Sequence, residues 1–272
     1  MRHFAASSLV VLTLLFSSLL STSVRADTFR FSTLEWPPYI TQHSDSNGYV
    51  AAIIREAFAA SGHRAEHQFL PWARALLEAR EGKYVGLYPE YYDPERLGDF
   101  VFSDPFPGGP VGFYKRVDRD IQYRHDPRLD KAAAIDSLAA YKFGVVRGYL
   151  NDPYFDRSEQ LTKQESPSDL ANLRLLFHQR VDLIFIDQLV AEHLVKTSMP
   201  AASRDALEMM QPPLTYKPLY VVFSKAHPQH QKAADAFNRG LQELRHSGRL
   251  DKLLKEYGIP AKSDDSLTNS PH

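Results

Sequence analysis

The 272-residue sequence contains no cysteine. This absence excludes disulfide bonds, thiolate-bound zinc and cysteine nucleophiles together. The fold must therefore be held by its hydrophobic core. A chain of this length is long enough for such a core, because folding buries roughly three-quarters of the surface that the unfolded chain exposes.

The sequence also lacks an excess of charge of either sign. Its 32 Lys and Arg residues against 33 Asp and Glu residues give a formal net charge of -1. Neither a nucleic acid nor an acidic membrane surface is favoured as a partner by this balance. No low-complexity tract and no internal repeat is present, so the composition indicates a globular protein and no more.

Long hydrophobic runs are absent except near the N-terminus. Arg2 and His3 precede an apolar run at residues 9–16, and small residues follow up to Ala26. A charged start, a short apolar segment and an A-x-A-like end are typical of a secretory signal peptide. The alternative is a membrane anchor, but the run falls short of the roughly 20 residues of a spanning helix. We predict a signal peptide over residues 1–26 that is cleaved after Ala26.

The remaining chain alternates between short strands and helices. Strands are predicted at residues 29–33, 65–69, 85–87, 141–146, 181–186 and 219–223. Helices are predicted at residues 49–60, 71–80, 168–177, 188–196, 231–246 and 249–257, with Ser168 as an N-cap. This alternation is typical of an α/β fold with a wound sheet. The polar tail at residues 263–272 is predicted to be disordered.

Two extended segments, at residues 112–115 and 212–215, are flanked by Gly or Pro and separate two α/β units. If the chain crosses between the units twice, residues 27–114 and 215–262 form lobe 1. Residues 115–214 then form an inserted lobe 2. Hinged lobes of this kind suit closure on a ligand.

Seven short blocks, in order, resemble a known family. They are EWPPY at 35–39, Gly48 with the helix after it, EGK at 81–83, ER at 95–96 with FVFSDPF at 100–106, GVVRG at 144–148, the run at 181–187, and the segment 223–258. Over nearly all of its mature length, the chain resembles the type II periplasmic solute-binding proteins of the polar amino-acid class, bacterial extracellular family 3.

The resemblance implies a two-lobed fold with a hinge of two crossover segments. It further implies a periplasmic, monomeric protein that clamps a small polar, amino-acid-like ligand for ABC-type uptake, with no catalysis of its own. No cofactor, metal or nucleic acid is expected. The expected partners are the ligand and an inner-membrane ABC permease or a membrane receptor.

Four residues match positions that hold the ligand in this family. Trp36 and Trp72 match the aromatic residues that stack on the ligand, and they are the only two tryptophans. Arg96 matches the arginine that grips a ligand carboxylate, a task for which a planar guanidinium is suited. Asp187 matches the acid that receives the ligand's ammonium group. The alternatives are core packing for the tryptophans, a surface ion pair for Arg96 and a helix N-cap for Asp187.

Other positions depart from the family pattern. Tyrosines, among them Tyr88 and Tyr91, replace small hydroxyl residues before Arg96. Gly148-Tyr149 stands where a Gly-Ser or Gly-Thr pair is expected, with Arg147 before it. Tyrosine supplies both stacking area and a hydroxyl donor. We therefore include these four residues in the predicted ligand site, and we add Arg74, two residues from Trp72, as a second cationic contact. The class of ligand stays open.

Two further functions stay open as alternatives. Cyclohexadienyl dehydratases are secreted lyases that resemble the same family, and Glu90 or Asp93 would be the general acid if burial raised its pKa. A sensing role, in which the closed lobes dock on a membrane receptor, needs the same ligand-driven closure.

Overall fold

The computed structural model describes residues 26–44 and 46–259. The predicted signal peptide, apart from Ala26, and the polar tail at 263–272 lie outside the described residues. Among the residues described, no helix combines the length and the hydropathy that crossing a membrane requires.

The predicted strands and helices of the first half of the chain are confirmed, and the structure adds strand β4 (Phe100–Phe102). Its elements are β1 (Thr28–Thr33), α1 (Gly48–Ala60), β2 (Arg64–Phe69), α2 (Trp72–Arg80), β3 (Gly86–Glu90) and β4 (Phe100–Phe102). Helix α1 ends where the sequence predicts, because Gly62 adopts a left-handed φ of 81° that residues with a side chain rarely adopt.

The second half contains elements that the sequence pattern did not indicate. The full set is β5 (Phe106–Arg116), α3 (Lys131–Asp136), β6 (Lys142–Val146), α4 (Pro153–Arg157), β7 (Thr162–Ser166), α5 (Asp169–Phe177), β8 (Leu183–Asp187), α6 (Gln188–Ser198), β9 (Leu207–Met209), β10 (Thr215–Ser224), α7 (His230–His246) and α8 (Arg249–Glu256). Strand β7 is polar, helices α3 and α4 are very short, and β5 contains two prolines and three glycines. Such segments carry little periodic signal.

The strands follow the order β2-β1-β3-β10-β5-β8-β6-β7, with β4 beside β10 and β9 beside β5. Strand β10 pairs with β3 and β4 through its C-terminal part and with β5 through its N-terminal part. Strand β5 pairs in turn with β8. The neighbouring strands β5 and β10 therefore connect the two halves. The division of the lobes at residues 114 and 215 stays a prediction.

The core contains two aromatic clusters. In one of them, Phe58 packs against Phe31 of β1 and Phe237 of α7, with ring centroids 5.6 and 5.7 Å apart. In the second half, Phe113 lies 5.2 Å from Phe143 and 5.4 Å from Phe155. The buried residues of the cluster around Phe113 lie within residues 111–214, whereas the other core cluster includes residues from both halves, such as Phe31 and Leu173.

Helix α7 approaches α1 closely at Gly240, where an added Cβ would lie 1.8 Å from the carbonyl oxygen of Ala57. Gly240→Ala should lower the free energy of unfolding by ~1–3 kcal/mol, because the helices must separate. This loss should outweigh the gain of about 1 kcal/mol in helix propensity. Urea unfolding measures the difference.

Gly98→Ala is the matched control, since nothing lies within 4 Å of its added Cβ. Its free energy of unfolding should change by no more than about 0.5 kcal/mol. An equal effect of the two substitutions would contradict the close approach of α7 to α1.

Candidate ligand-binding site

The carboxyl ends of four strands meet in a cleft between the two halves. The chain after β1 leads to Trp36, β3 ends at Glu90, the chain after β6 leads to Tyr149, and β8 ends at Asp187. Open α/β sheets bind ligands at this edge, because loops and helix starts converge there. The strand topology therefore brings together residues that are far apart in the sequence.

Aromatic side chains fill most of this cleft. The remaining inner cavity has a volume of about 30 Å³ and is lined by Leu34, Trp36, Trp72, Pro89, Glu90, Tyr91, Tyr149, Leu150 and Leu219. A larger groove of about 1000 Å³ lies outside it, and both are lined by Leu34, Trp36, Trp72 and Tyr149. The inner cavity has room for water but not for an organic ligand, so a ligand must move these side chains.

Both tryptophans lie at the cleft and bond across it. The indole Nε1 of Trp36 donates a hydrogen bond of 3.1 Å to Oδ2 of Asp169, and its ring stacks on Tyr39 with centroids 4.5 Å apart. Trp72, the first residue of α2, donates from Nε1 to the carbonyl oxygen of Gly148 at 3.0 Å. Both are more than nine-tenths buried, and both reach from the first half to the second.

Asp187 is the N-cap of α6, the alternative role that the sequence suggested, and its role toward a ligand stays a prediction. Its Oδ1 accepts hydrogen bonds from the backbone amides of Leu189 and Val190, at 2.9 and 3.2 Å. Its Oδ2 accepts hydrogen bonds from the hydroxyls of Tyr39 and Tyr91, at 2.8 and 3.3 Å. Burial raises the pKa of Asp187 to about 7, although these bonds act in the opposite direction.

Asp169 is a second buried carboxyl that sequence reasoning missed. It is the first residue of α5, and its Oδ2 accepts hydrogen bonds from Trp36 and, at 3.2 Å, from the hydroxyl of Tyr149. Burial raises its pKa to about 6. Ser168 was recognised as the N-cap of this helix, and its side chain does accept from the amide of Ala171. The preceding strand β7 was not recognised, so nothing placed Asp169 at the carboxyl edge of a sheet.

Arg96 faces Glu90 within the cleft. The Arg96 Nε lies 3.5 Å from Oε2 of Glu90, and the two side chains are only 12% and 3% exposed. Arg96 also donates from Nη2 to the carbonyl oxygen of Gly148 at 3.2 Å. The other Glu90 oxygen accepts from the amide of Tyr91 at 2.9 Å. Burial raises the pKa of Glu90 to about 7, and the charge of Arg96 acts against this rise.

Lys217, in β10, is a further polar residue at the cleft that sequence reasoning missed. Its ammonium lies 4.4 Å from the ring centroid of Tyr91, within cation–π range, and donates to the carbonyl oxygen of Leu150 at 3.3 Å. Burial lowers its pKa to about 8. No local motif marks this lysine, because only the pairing of β10 with β5 brings it to the cleft.

Five predicted site residues do not line the inner cavity: Arg96 and Asp187, described above, and Arg74, Arg147 and Tyr88. Arg74 and Arg147 are exposed and pair with Glu78 and Glu165, at 2.7 and 2.9 Å. In a helix, residues two positions apart point in nearly opposite directions, so Trp72 and Arg74 cannot face the same cleft. Tyr88 is fully buried in the first half, with its ring 5.3 Å from that of Phe31.

Asp93, considered as a general acid, has a local structural role. Its Oδ1 accepts a hydrogen bond of 2.8 Å from the amide of Glu95 and so caps the short 3-10 turn Pro94–Gly98. The structure thus places Glu90, and not Asp93, in the cavity wall.

No group of three or more His, Asp or Glu side chains that could hold a metal ion occurs within residues 26–44 and 46–259.

The raised pKa of Asp187 predicts a pH-dependent contribution to stability. Between about pH 4 and pH 7 the folded chain binds more protons at Asp187 than the unfolded chain, so the free energy of unfolding falls as the pH rises through this window. Asp187→Asn removes the titration but keeps a good N-cap. The stability of the variant relative to the unsubstituted protein should therefore rise by on the order of 1–4 kcal/mol from pH 4.5 to pH 8.

Urea unfolding of both proteins at the two pH values measures this difference. The raised pKa values of Glu90 and Asp169 are common to both proteins and cancel. A stability difference that is the same at both pH values would contradict the raised pKa of Asp187.

Comparison with known proteins identifies a family whose model matches this chain. The model of the bacterial extracellular solute-binding proteins, family 3, matches residues 30–260. A search of curated proteins gave no significant match.

Solved structures share the fold at low sequence identity. A glutathione-import structure from Streptococcus mutans aligns with a TM-score of 0.71 at 20% identity, covering 90% of this chain and 100% of that one. A histidine kinase sensor domain aligns with a TM-score of 0.70 at 16% identity, covering 86% and 96% of the two chains. The glutamate-bound GluR0 ligand-binding core of Nostoc punctiforme aligns with a TM-score of 0.68 at 16% identity, covering 85% and 100%.

Such neighbours are two-lobed binding proteins, and the predicted α/β fold of that type is thereby confirmed. The match of the family model over most of the chain establishes that this protein belongs to the bacterial extracellular solute-binding proteins, family 3.

Proposed function

We propose that this protein binds a small polar, amino-acid-like ligand between its two halves and delivers it to an ABC-type permease in the inner membrane. The observation that carries the proposal is a set of hydrogen bonds across the cleft. Trp36 bonds to Asp169, Tyr39 to Asp187, and Trp72 to Gly148. Each bond joins a side chain of the first half to a group of the second half.

These bonds support a clamp because the same groups would contact a ligand. A ligand can stabilise the closed arrangement only by as much as it binds that arrangement better than the open one. A molecule held between the indole rings, with polar groups directed to both halves, meets this condition. Its polar contacts would be strong, since the cleft excludes water and lowers the local dielectric constant.

Delivery to a permease is preferred over sensing because of the family, whose members are named for solute binding outside the cell. The neighbours include both a structure from an import system and a sensor domain, so likeness of fold does not separate the two roles. A permease encoded beside this gene, with uptake into vesicles that requires both this protein and ATP, would support delivery. Docking on a sensor protein without uptake would contradict it.

A lyase of the cyclohexadienyl dehydratase type is the second candidate, and Glu90 is the observation that favours it. The carboxyl of Glu90 lines the inner cavity, and burial raises its pKa to about 7, which suits a general acid at neutral pH. Aromatisation of a cyclohexadienyl acid, followed by ultraviolet absorbance and abolished in Glu90→Gln, would support this candidate. Binding without turnover would leave the clamp as the function.

The proposed function predicts ligand-dependent stabilisation of the mature chain from Asp27 onward. A thermal-shift screen of amino acids, amines, small carboxylates and aromatic acids should find a rise in Tm that grows with ligand concentration, as mass action requires. No shift with any compound in these classes would contradict the proposal.

Trp72→Ala should weaken binding of the compound found in this screen by about 2 kcal/mol, roughly 30-fold, because it removes an aromatic wall of the cavity. Isothermal titration calorimetry measures the change. The matched control is Tyr154→Ala, which removes a partly exposed aromatic residue that lines neither the cavity nor the groove. Equal affinities of the two variants would place the ligand elsewhere.

A further inference from the structure

The charge of Arg96, the expected partner of a ligand carboxylate, is already compensated inside the protein. Glu90 lies 3.5 Å from its Nε, and both side chains are buried. Its Nη2 is bonded to the carbonyl oxygen of Gly148. A ligand carboxylate at Arg96 would therefore have to approach Glu90 as well, and two carboxylates at one cation repel each other.

Glu90 also presents an acceptor that has no donor. Its Oε2 lies in the ion pair with Arg96 but, like the Arg96 Nε, has no hydrogen-bond partner among the described residues, although the Glu90 side chain is only 3% exposed. Glu90 lines the inner cavity. A buried acceptor without a donor is costly, so a ligand N–H group placed here would be stabilised.

The second half contributes two more acidic groups. Asp169 and Asp187 are each about 95% buried. Their side-chain partners are the neutral donors Trp36, Tyr39, Tyr91 and Tyr149. Neither acid forms an ion pair with a lysine or arginine in the parts of the chain that the structure describes. Of the two cations in the cleft, Arg96 pairs with Glu90, and Lys217 bonds to the carbonyl oxygen of Leu150.

The rings around the cavity favour a positive ligand for a separate reason. Trp36, Trp72, Tyr91 and Tyr149 all line it. The faces of aromatic rings attract ammonium and guanidinium groups, most strongly where water is excluded. One such contact already exists inside the protein, between Lys217 and the ring of Tyr91.

We infer that the ligand is a small organic amine or guanidine without a carboxylate group. The inference rests on the proposed function, and it narrows the ligand to the amine counterpart of an amino acid. The ammonium or guanidinium group lies between the indole rings and donates hydrogen bonds to Oε2 of Glu90 in the cavity wall and to Asp169 in the groove wall, with Asp187 behind the hydroxyl of Tyr91. A carboxylate on the same molecule would meet three acidic groups and a single arginine whose charge is already compensated.

Matched pairs of compounds that differ only in the carboxylate test the inference by isothermal titration calorimetry on the mature chain. The pairs are agmatine with arginine, cadaverine with lysine, histamine with histidine, and tyramine with tyrosine. At least one amine should bind 10-fold or more tightly than its amino acid.

An amino acid that binds as tightly as its amine, or more tightly, would overturn the inference while leaving the proposed clamp in place. Failure of all eight compounds to bind would overturn the inference together with the amino-acid-like ligand of the proposed function.

The substitution Glu90→Gln should change the affinities for the two kinds of ligand in opposite directions: binding of the amine should weaken and binding of the amino acid should strengthen. It should release the charge of Arg96, so the preference for the amine over the amino acid should fall by 10-fold or more. The control is Asp118→Asn, which removes one carboxylate from an exposed pair with Arg116 and should leave the preference unchanged. An unchanged preference in Glu90→Gln would show that Glu90 does not oppose a ligand carboxylate.

Asp169→Asn keeps the size of the side chain and should weaken amine binding 10-fold or more. Circular dichroism melting of each variant separates loss of binding from loss of folding. A folded Asp169→Asn variant with undiminished amine affinity would overturn the role of Asp169.

Discussion

The pairing of β5 with β10 is the constraint on which the cleft depends. These two neighbouring strands carry the backbone from one half to the other, and two acidic residues, Asp187 and Glu90, are in register with them. Asp187 is paired with Val111 of β5, and Glu90 is paired with Tyr220 of β10. Lys217 belongs to β10 itself. A backbone ladder thus fixes the positions of three charged groups that are distant in the sequence.

The close packing of the cleft also depends on the absence of a side chain at one position of β5. Gly109 of β5 has no side chain, and a Cβ there would lie 2.2 Å from the hydroxyl of Tyr39 and 2.8 Å from Oδ2 of Asp187. The hydrogen bond between Tyr39 and Asp187 occupies the space that a side chain would need. Two irregularities of register in β10, between Lys217 and Leu219 and between Tyr220 and Val222, lie where the strand changes partners. Such irregularities bend a strand and redirect its side chains.

Buried carboxyls surrounded by neutral donors give the cleft its electrostatic character. Burial disfavours the charged form of a carboxyl, and hydrogen bonds from tyrosine and tryptophan offset this cost only in part. The pKa values of Asp169, Asp187 and Glu90 are therefore raised to about 6, 7 and 7. A positive charge placed among these groups would favour their ionised form. The cleft is therefore suited to a positively charged molecule.

The sequence by itself determined the α/β class and the predicted elements of the first half, through hydrophobic periodicity and turn residues. The order of short motifs determined that Trp36, Trp72 and Asp187 lie at the ends or starts of elements. These features are local, so the sequence expresses them directly. Only the tertiary structure decided which polar side chains share the cleft. Arg74 and Arg147 point to solvent and Tyr88 points into a core. Asp169 reaches the site because it follows the unrecognised strand β7, and Lys217 reaches it from a segment without a recognisable motif. The reason is that the direction of a side chain and the pairing of distant strands are set by contacts between elements, and no short stretch of sequence contains them.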